Sequence, residues 1–262
     1  MHNRIRKEEL KKSILESLDA FEADLFPYIP YILQDLWEIG ADPSIMLALI
    51  KDNITSKKLK ILDLGCGKSA VSIYIARHID CTVKGIDGLS AFIESAKDYA
   101  EKFNVHDKCN FVVGDIRIMI KNIKGFDVVI LGAIGPVIGN LQTTLEIISK
   151  SLNREGYVLL DDGYIADESQ VNYHRCLRKS DFYSQIKTAE FEIIQEVIFE
   201  KNKIKNTDSL MYDSIEKRAN ELMLKYPDKK KLFEGYLKSQ EFENDMLENE
   251  IISGTWLLQL KH

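Results

Sequence analysis

The chain has 262 residues, enough to bury a full core as one α/β domain with additions. Its 35 Lys and Arg against 41 Asp and Glu give a net charge of −6, and no basic cluster makes a nucleic-acid footprint. The densest basic run, Lys229-Lys230-Lys231, reads as a solvated helix start, and no apolar run approaches the roughly 20 residues of a membrane span. The first 22 residues are charged, with Ile5, Leu10, Ile14, Leu15, Leu18 and Phe21 spaced for a one-sided helix over 3–22. The opening MHNRIRKEELKKS lacks the apolar core of a signal peptide or anchor. Pro27 and Pro30 break this helix, and a second one over 31–39 stops at Gly40. Asp42-Pro43 is a cap followed by proline at the first helical position, opening a third helix to about Asp52.

The stretch Lys60–Ala70, KILDLGCGKSA, organises the rest of the chain. A buried strand runs into Gly65-Cys66-Gly67, and an amphipathic helix begins at Ala70. Such a turn leaves backbone N–H groups at the positive end of a helix, with glycine letting a ligand come close. Gly65-x-Gly67-x-x-Ala70 fits the dinucleotide fingerprint, but Asp63 would oppose a pyrophosphate and suits a cationic ligand. The strand 81–86 ends at Asp87-Gly88, where an acidic residue accepts hydrogen bonds from ribose hydroxyls.

Ser90 is expected to cap a helix over 91–103. A third strand, 109–113, ends in Gly114-Asp115-Ile116, and Asp115 also suits the cap of a segment over 116–122. Residues 126–132 have the continuous apolar character of a central parallel strand, ending at Leu131-Gly132. A helix over 141–152 and a strand over 156–162 come next, the strand ending in Asp161 and Asp162. Residues 168–189 read as one or two helices, 191–199 as a strand, 207–226 and 230–249 as two helices, and 251–260 as a last strand.

Asp63-x-Gly65-x-Gly67, the later strand-end aspartates and the final strand resemble the class I S-adenosylmethionine (SAM) dependent methyltransferases. The third glycine usual in that family is Ser69. The Asn/Asp-Pro-Pro-Tyr/Phe motif of members that methylate amino groups of DNA bases and glutamine is missing after Leu131, which argues against those substrates. The resemblance implies an α/β, Rossmann-like, doubly wound seven-stranded sheet, mostly parallel, with the last strand antiparallel and slotted between the fifth and sixth. N-terminal helices and a helical insertion before the last strand complete it. The implied organisation is a helical lid over 1–57, a core of 58–200 with 250–262, and a cap over 201–249.

The implied cofactor is SAM, bound by Asp63, Gly65, Cys66, Gly67, Asp87, Gly88, Asp115, Ile116 and Leu131. The implied acceptor is a small molecule beside Tyr28, Tyr31, Gly132 and Tyr164. Methyl transfer needs positioning above all, and a base only where the nucleophile must lose a proton. Asp162 and His174 are the candidates for that base, ahead of Asp161. Strand alternation points Asp161 and Asp162 to opposite faces without saying which faces the site. Arg175, Arg178 and Lys179 suggest a basic group for an acidic part of the substrate.

The four cysteines, Cys66, Cys81, Cys109 and Cys176, form no C-x-x-C pair, which suits the cytoplasm. No metal, nucleic-acid or membrane partner is expected, and a homodimer is left open. The alternative reading is methylation of a protein or RNA partner, or a non-catalytic interaction subunit of the same fold.

Overall fold

The computed structural model describes residues 2–56 and 58–261, with side chains from residue 7 onward. Ile5, expected on the apolar face of the first helix, therefore lies outside the described side chains. The chain runs α1 (His2–Glu16), α2 (Ile29–Ile32), α3 (Pro43–Asn53), β1 (Leu59–Leu64), α4 (Ala70–His78) and β2 (Cys81–Asp87). It continues through α5 (Ser90–Lys102), β3 (Cys109–Val113), α6 (Ile116–Met119), β4 (Phe126–Gly132), α7 (Leu141–Ser149) and β5 (Leu152–Ile165). Then come β6 (Leu177–Arg178), α8 (Lys179–Thr188), β7 (Phe191–Ile198), α9 (Lys201–Lys225), α10 (Lys230–Asn249) and β8 (Ile251–Leu260).

Two compact units emerge. One holds the chain up to Trp37 with Phe199–Ile251, and the other holds Glu38–Ile198 with the chain from Ile252 on. The first division thus falls at Trp37, not at residue 57. α3 belongs to the sheet-bearing unit, where Asn53 Nδ2 donates to Gln195 Oε1 of β7 at 2.7 Å.

In the helical unit, α1 ends at Glu16, short of the expected residue 22. Asp19 turns to φ 55, and Ala20 N–H bonds back to the Leu15 carbonyl at 2.9 Å. Phe21 is consequently 64% exposed instead of packed. α2 is a single turn with Pro30 inside its first turn, where a missing N–H costs nothing. The expected helix over 31–39 is therefore shorter and earlier. Tyr28 packs edge-on against Tyr226 (5.5 Å between ring centres) and Phe233 (5.1 Å). Tyr31 donates its hydroxyl to Glu221 Oε2 at 2.6 Å, and the Arg218 guanidinium grips Asp35 at 2.7 and 2.8 Å. α9 starts at Lys201, ahead of the expected Thr207.

In the other unit, Asp42 caps α3 by accepting from the Ser44 and Ile45 N–H groups at 2.8 and 3.3 Å. β1 and β4 form the centre: Ile61, Leu62, Leu64, Val128, Val129 and Ile130 have no exposed surface. Strands covered on both faces need such continuous apolar runs. Each such side chain contributes on the order of 1.5–3 kcal/mol by leaving water.

The sheet order is β3-β2-β1-β4-β5-β8-β7. β8 inserts between β5 and β7 and runs antiparallel to β7, as the resemblance implied. Among the described residues the sheet has eight strands, not seven, because β5 continues past Asp162 and pairs Tyr164 with Leu177 and Ile165 with Arg178 of β6. The strand order reverses between β1 and β4, so the carboxyl ends of β1, β2, β4 and β5 open one crevice at a switch point.

Candidate functional site

The glycine turn stands at that crevice. Gly65 and Gly67 take φ +70 and +53, which a side chain would strain. A Cβ built at Gly67 meets nothing within 4 Å, so the turn leaves a cradle there. At Gly65 the same construction comes 2.6 Å from Ile134 Cγ2, so the chain itself fills that side. Cys66 lies over Gly85, where a Cβ would come 2.9 Å from its Sγ. Burial, with the Asp63 and Asp87 charges nearby, holds the Cys66 thiol well above the usual thiol range, so it stays protonated.

Three aspartates stand at the carboxyl ends of β1, β2 and β3. Asp63, 3% exposed, accepts a hydrogen bond from Ser72 Oγ of α4 at 2.6 Å. Burial pushes its carboxyl up to about 7, against the pull of that hydrogen bond and with help from the Asp87 charge. Asp87 accepts from Gly67 N–H on Oδ2 at 2.9 Å and from Leu89 N–H on Oδ1 at 2.8 Å. Its carboxyl is raised by burial and lowered by the N–H groups of Leu89, Gly67 and Gly88. Ser90 opens α5 without a side-chain cap, and it is Asp87 that serves this helix start.

Asp115 caps α6 through Arg117 N–H at 3.0 Å, and both its oxygens also hold the Arg117 guanidinium at 2.9 and 2.7 Å. Its carboxylate is therefore engaged locally, and Ile116 succeeds it as the first residue of α6.

A second hollow, of about 160 Å³, opens at the ends of β4 and β5. Leu131, Ile134, Asp161, Asp162, His174 and Arg175 contribute to its wall, so Ile134 serves both the turn and the hollow. The Asp161 carboxylate is held by Thr255 Oγ1 at 2.8 Å, and burial pushes it up to about 7. The Asp162 carboxylate accepts a hydrogen bond from Gly163 N–H on Oδ1 at 2.7 Å, and burial raises it to about 6.

His174 sits in a turn, not a helix, since 168–176 forms a loop before β6 and α8. Arg178 organises that loop. Its guanidinium donates to the carbonyls of Ala166 (3.0 Å), Ser169 (2.9 Å) and Val171 (2.6 Å). Asp167 accepts from Ser180 N–H at 3.0 Å, and Cys176 Sγ contacts the Gly163 carbonyl oxygen at 3.2 Å. A basic group of Arg175, Arg178 and Lys179 facing a substrate is thus not formed, because Arg178 is spent on backbone carbonyls.

The residues expected beside the acceptor have these surroundings. Tyr28 and Tyr31 serve the packing and hydrogen bonding of the helical unit. Tyr164, 4% exposed, packs against Phe182, Tyr183 and Trp256 in the core. Gly132 faces Ala41, whose Cβ would lie 3.3 Å from an added one. Sequence reasoning misses Ser72, Thr255, Ile134 and Cys176. Ser72 alone carries a signal, as a polar residue on the buried face of an apolar helix. Among the described residues, no three His, Cys, Asp or Glu side chains gather as for a metal ion.

Known proteins point the same way. The sterol 24-C-methyltransferase of Debaryomyces hansenii is 36% identical over 74 residues, which is 28% of this chain and 20% of that protein. The ubiquinone biosynthesis O-methyltransferase of Coxiella burnetii is 33% identical over 87 residues, 32% of this chain and 35% of that protein. The chain thus spans about a fifth to a third of the length of these relatives. In fold, it superposes on a Geobacter sulfurreducens SAM-dependent methyltransferase crystallised with S-adenosylhomocysteine. The TM-score is 0.75 at 19% identity, over 90% of this chain and 98% of that one. A family model described as a methyltransferase domain matches residues 55–213, and the chain belongs to that family, the class I SAM-dependent methyltransferases.

Proposed function

We propose that this chain binds SAM at the glycine turn and transfers its methyl group to a small-molecule acceptor. The observation that carries the reading is the open cradle at Gly67, with the half-buried Asp87 bonded to its N–H and the buried Asp63 on the strand that leads into the turn. These residues fit the cofactor. A buried carboxylate without a cation suits an ammonium group at Asp63, and Asp87 has lone pairs left for ribose hydroxyls after its backbone bonds. Asp115 is bound by Arg117, so the adenine edge is assigned mainly to the backbone at Ile116.

When bound, the cofactor supplies a methyl group on a sulfonium, an excellent leaving group. The chain then has to orient the acceptor, exclude water and, where needed, accept a proton. Asp162 is the group assigned to that proton, because it lines the hollow while Asp161 is held by Thr255. His174, at the rim of the same hollow, is a secondary candidate. A cytoplasmic setting belongs to this reading, since the four cysteines are free thiols. No helix among the described residues is long and apolar enough to cross a membrane.

The test is calorimetric titration of the purified chain with SAM, S-adenosylhomocysteine and NAD, with mass spectrometry of the native protein for carried-over ligand. Micromolar binding of the two sulfur ligands, without NAD, is the expected outcome. Binding of NAD alone would overturn the assignment of Asp63.

A further inference from the structure

The hollow at the end of β5 contains a charge that the chain does not answer. Among the described residues, the Asp162 carboxylate receives a single hydrogen bond, from Gly163 N–H to Oδ1. Its acidity is governed by burial and by that N–H, with no contribution from a Lys, Arg or His charge. His174 and Arg175 share the lining without offsetting it. The neighbouring Asp161 is different, since Thr255 Oγ1 holds its Oδ2. The Asp162 carboxylate is half-buried, so water solvates it only in part, and a bound cation offsets that loss.

The rest of the wall is largely apolar, with Leu131, Ile134, Leu160, Leu177 and Phe182. The volume, about 160 Å³, is close to that of cavities of ~150 Å³ known to hold benzene. The hollow is also preformed. Three Arg178 hydrogen bonds fix the loop that carries His174, Arg175 and Leu177, and β6 pairs that loop onto β5.

We propose, building on the methyltransferase reading above, that this hollow receives the reactive end of a small apolar amine, with its nitrogen held by Asp162 Oδ2. An alcohol would leave the half-buried charge unanswered, and a carboxylate would be repelled. The amine enters as its ammonium ion, and one N–H proton passes to Asp162 Oδ2. The freed nitrogen lone pair forms the N–CH₃ bond as the C–S bond breaks, and the electrons of that bond stay on sulfur. The product leaves as a methylated ammonium ion, and Asp162 returns its proton to solvent. Asp162 is thus assigned as both the specificity-determining group and the proton acceptor.

Three probes of similar shape test this: benzylamine, benzyl alcohol and benzoate, titrated by ligand-observed NMR against the chain with and without S-adenosylhomocysteine. Benzylamine should bind roughly tenfold or more tightly than benzyl alcohol, and benzoate should not bind. Asp162→Asn keeps the shape of the side chain and should erase that preference while S-adenosylhomocysteine affinity stays unchanged. Equal binding of the alcohol or the carboxylate, no binding of benzylamine, or an intact preference in D162N would each overturn the proposal. The ranking on the unaltered chain decides the matter even where D162N fails to fold. Failure of S-adenosylhomocysteine to bind the unaltered chain would instead sink the methyltransferase reading, and the ligand-free titrations still report on the hollow.

Discussion

Ser72 Oγ donates a 2.6 Å hydrogen bond to Asp63 Oδ2, and both side chains are buried. This single bond is what tempers a carboxylate that burial otherwise disfavours. Asp63 has an ordinary value of 3.8 and rises to about 7 in the folded chain. Between those values the folded chain keeps a proton that the unfolded chain has released. The stability associated with Asp63 is thus full below the lower value and is lost as pH rises through the upper one. The loss is on the order of 4 kcal/mol above neutrality. Asp63→Asn, with no charge to bury, should therefore melt near the parent at acidic pH and above it at mildly alkaline pH. Thermal melts at both values check this. Its affinity for SAM should fall roughly tenfold or more, read by calorimetry. A lower melting point for D63N on the alkaline side would mean that Asp63 already has a stabilising cation.

Asp87 joins two jobs. It fixes the glycine turn through Gly67 N–H and the start of α5 through Leu89 N–H. Asp87→Ala should leave both N–H groups without their acceptor and cost roughly 1–3 kcal/mol of stability. SAM affinity should drop further than the stability loss accounts for, by roughly ten- to a hundredfold, since charged hydrogen bonds to the ribose are lost as well. Unchanged affinity in calorimetry would show that the ribose assignment is wrong.

Gly65 needs no ligand to explain it. Its φ of +70 and the approach of Ile134 Cγ2 to 2.6 Å of an added Cβ both require glycine. Gly65→Val should abolish SAM binding by displacing Ile134 and the loop after β4. Gly65→Ala combined with Ile134→Ala should recover part of the stability, because the clash is relieved while the backbone strain, about 1–2 kcal/mol, remains. Melting temperatures of the two variants check the order. If G65A alone is as stable as the parent, the Ile134 contact is not what excludes a side chain.

The glycine turn and the strand-end aspartates were legible in the sequence because backbone geometry leaves few alternatives. A strand running into Gly-x-Gly and a helix has one common arrangement, and the Asp42-Pro43 cap is equally local. The place of β8 between β5 and β7 was legible only through the family resemblance. The features that lay hidden depend on contacts between distant residues. The polar stretch 168–178 carries charges that suit a helix surface, yet Arg178 turns inward to three carbonyls and makes a loop. Tyr164 looked like a pocket residue at a strand end, but its ring belongs with Phe182 and Trp256. The assignment of α3 to the sheet-bearing unit also rests on a contact, Asn53 with Gln195, that no local pattern announces.

The loop that walls the hollow has its own test. Arg178 is its staple, holding the carbonyls of Ala166, Ser169 and Val171 at 3.0, 2.9 and 2.6 Å. Arg178→Met keeps much of the side chain's length and apolar stem but removes every donor. Each lost hydrogen bond from a charged donor is worth about 1.5–3 kcal/mol, so local opening of the loop should become frequent. Amide hydrogen exchange over 166–176 should accelerate by an order of magnitude or more, while exchange in β1 and β4 stays slow. Cys176, whose thiol contacts the Gly163 carbonyl in this structure, should alkylate faster with iodoacetamide than in the parent. S-adenosylhomocysteine affinity should be unchanged, because the glycine turn takes nothing from this loop. A uniform rise in exchange across the sheet would instead mean that Arg178 supports the whole fold, and unchanged exchange in the loop would mean that β6 pairing alone holds it.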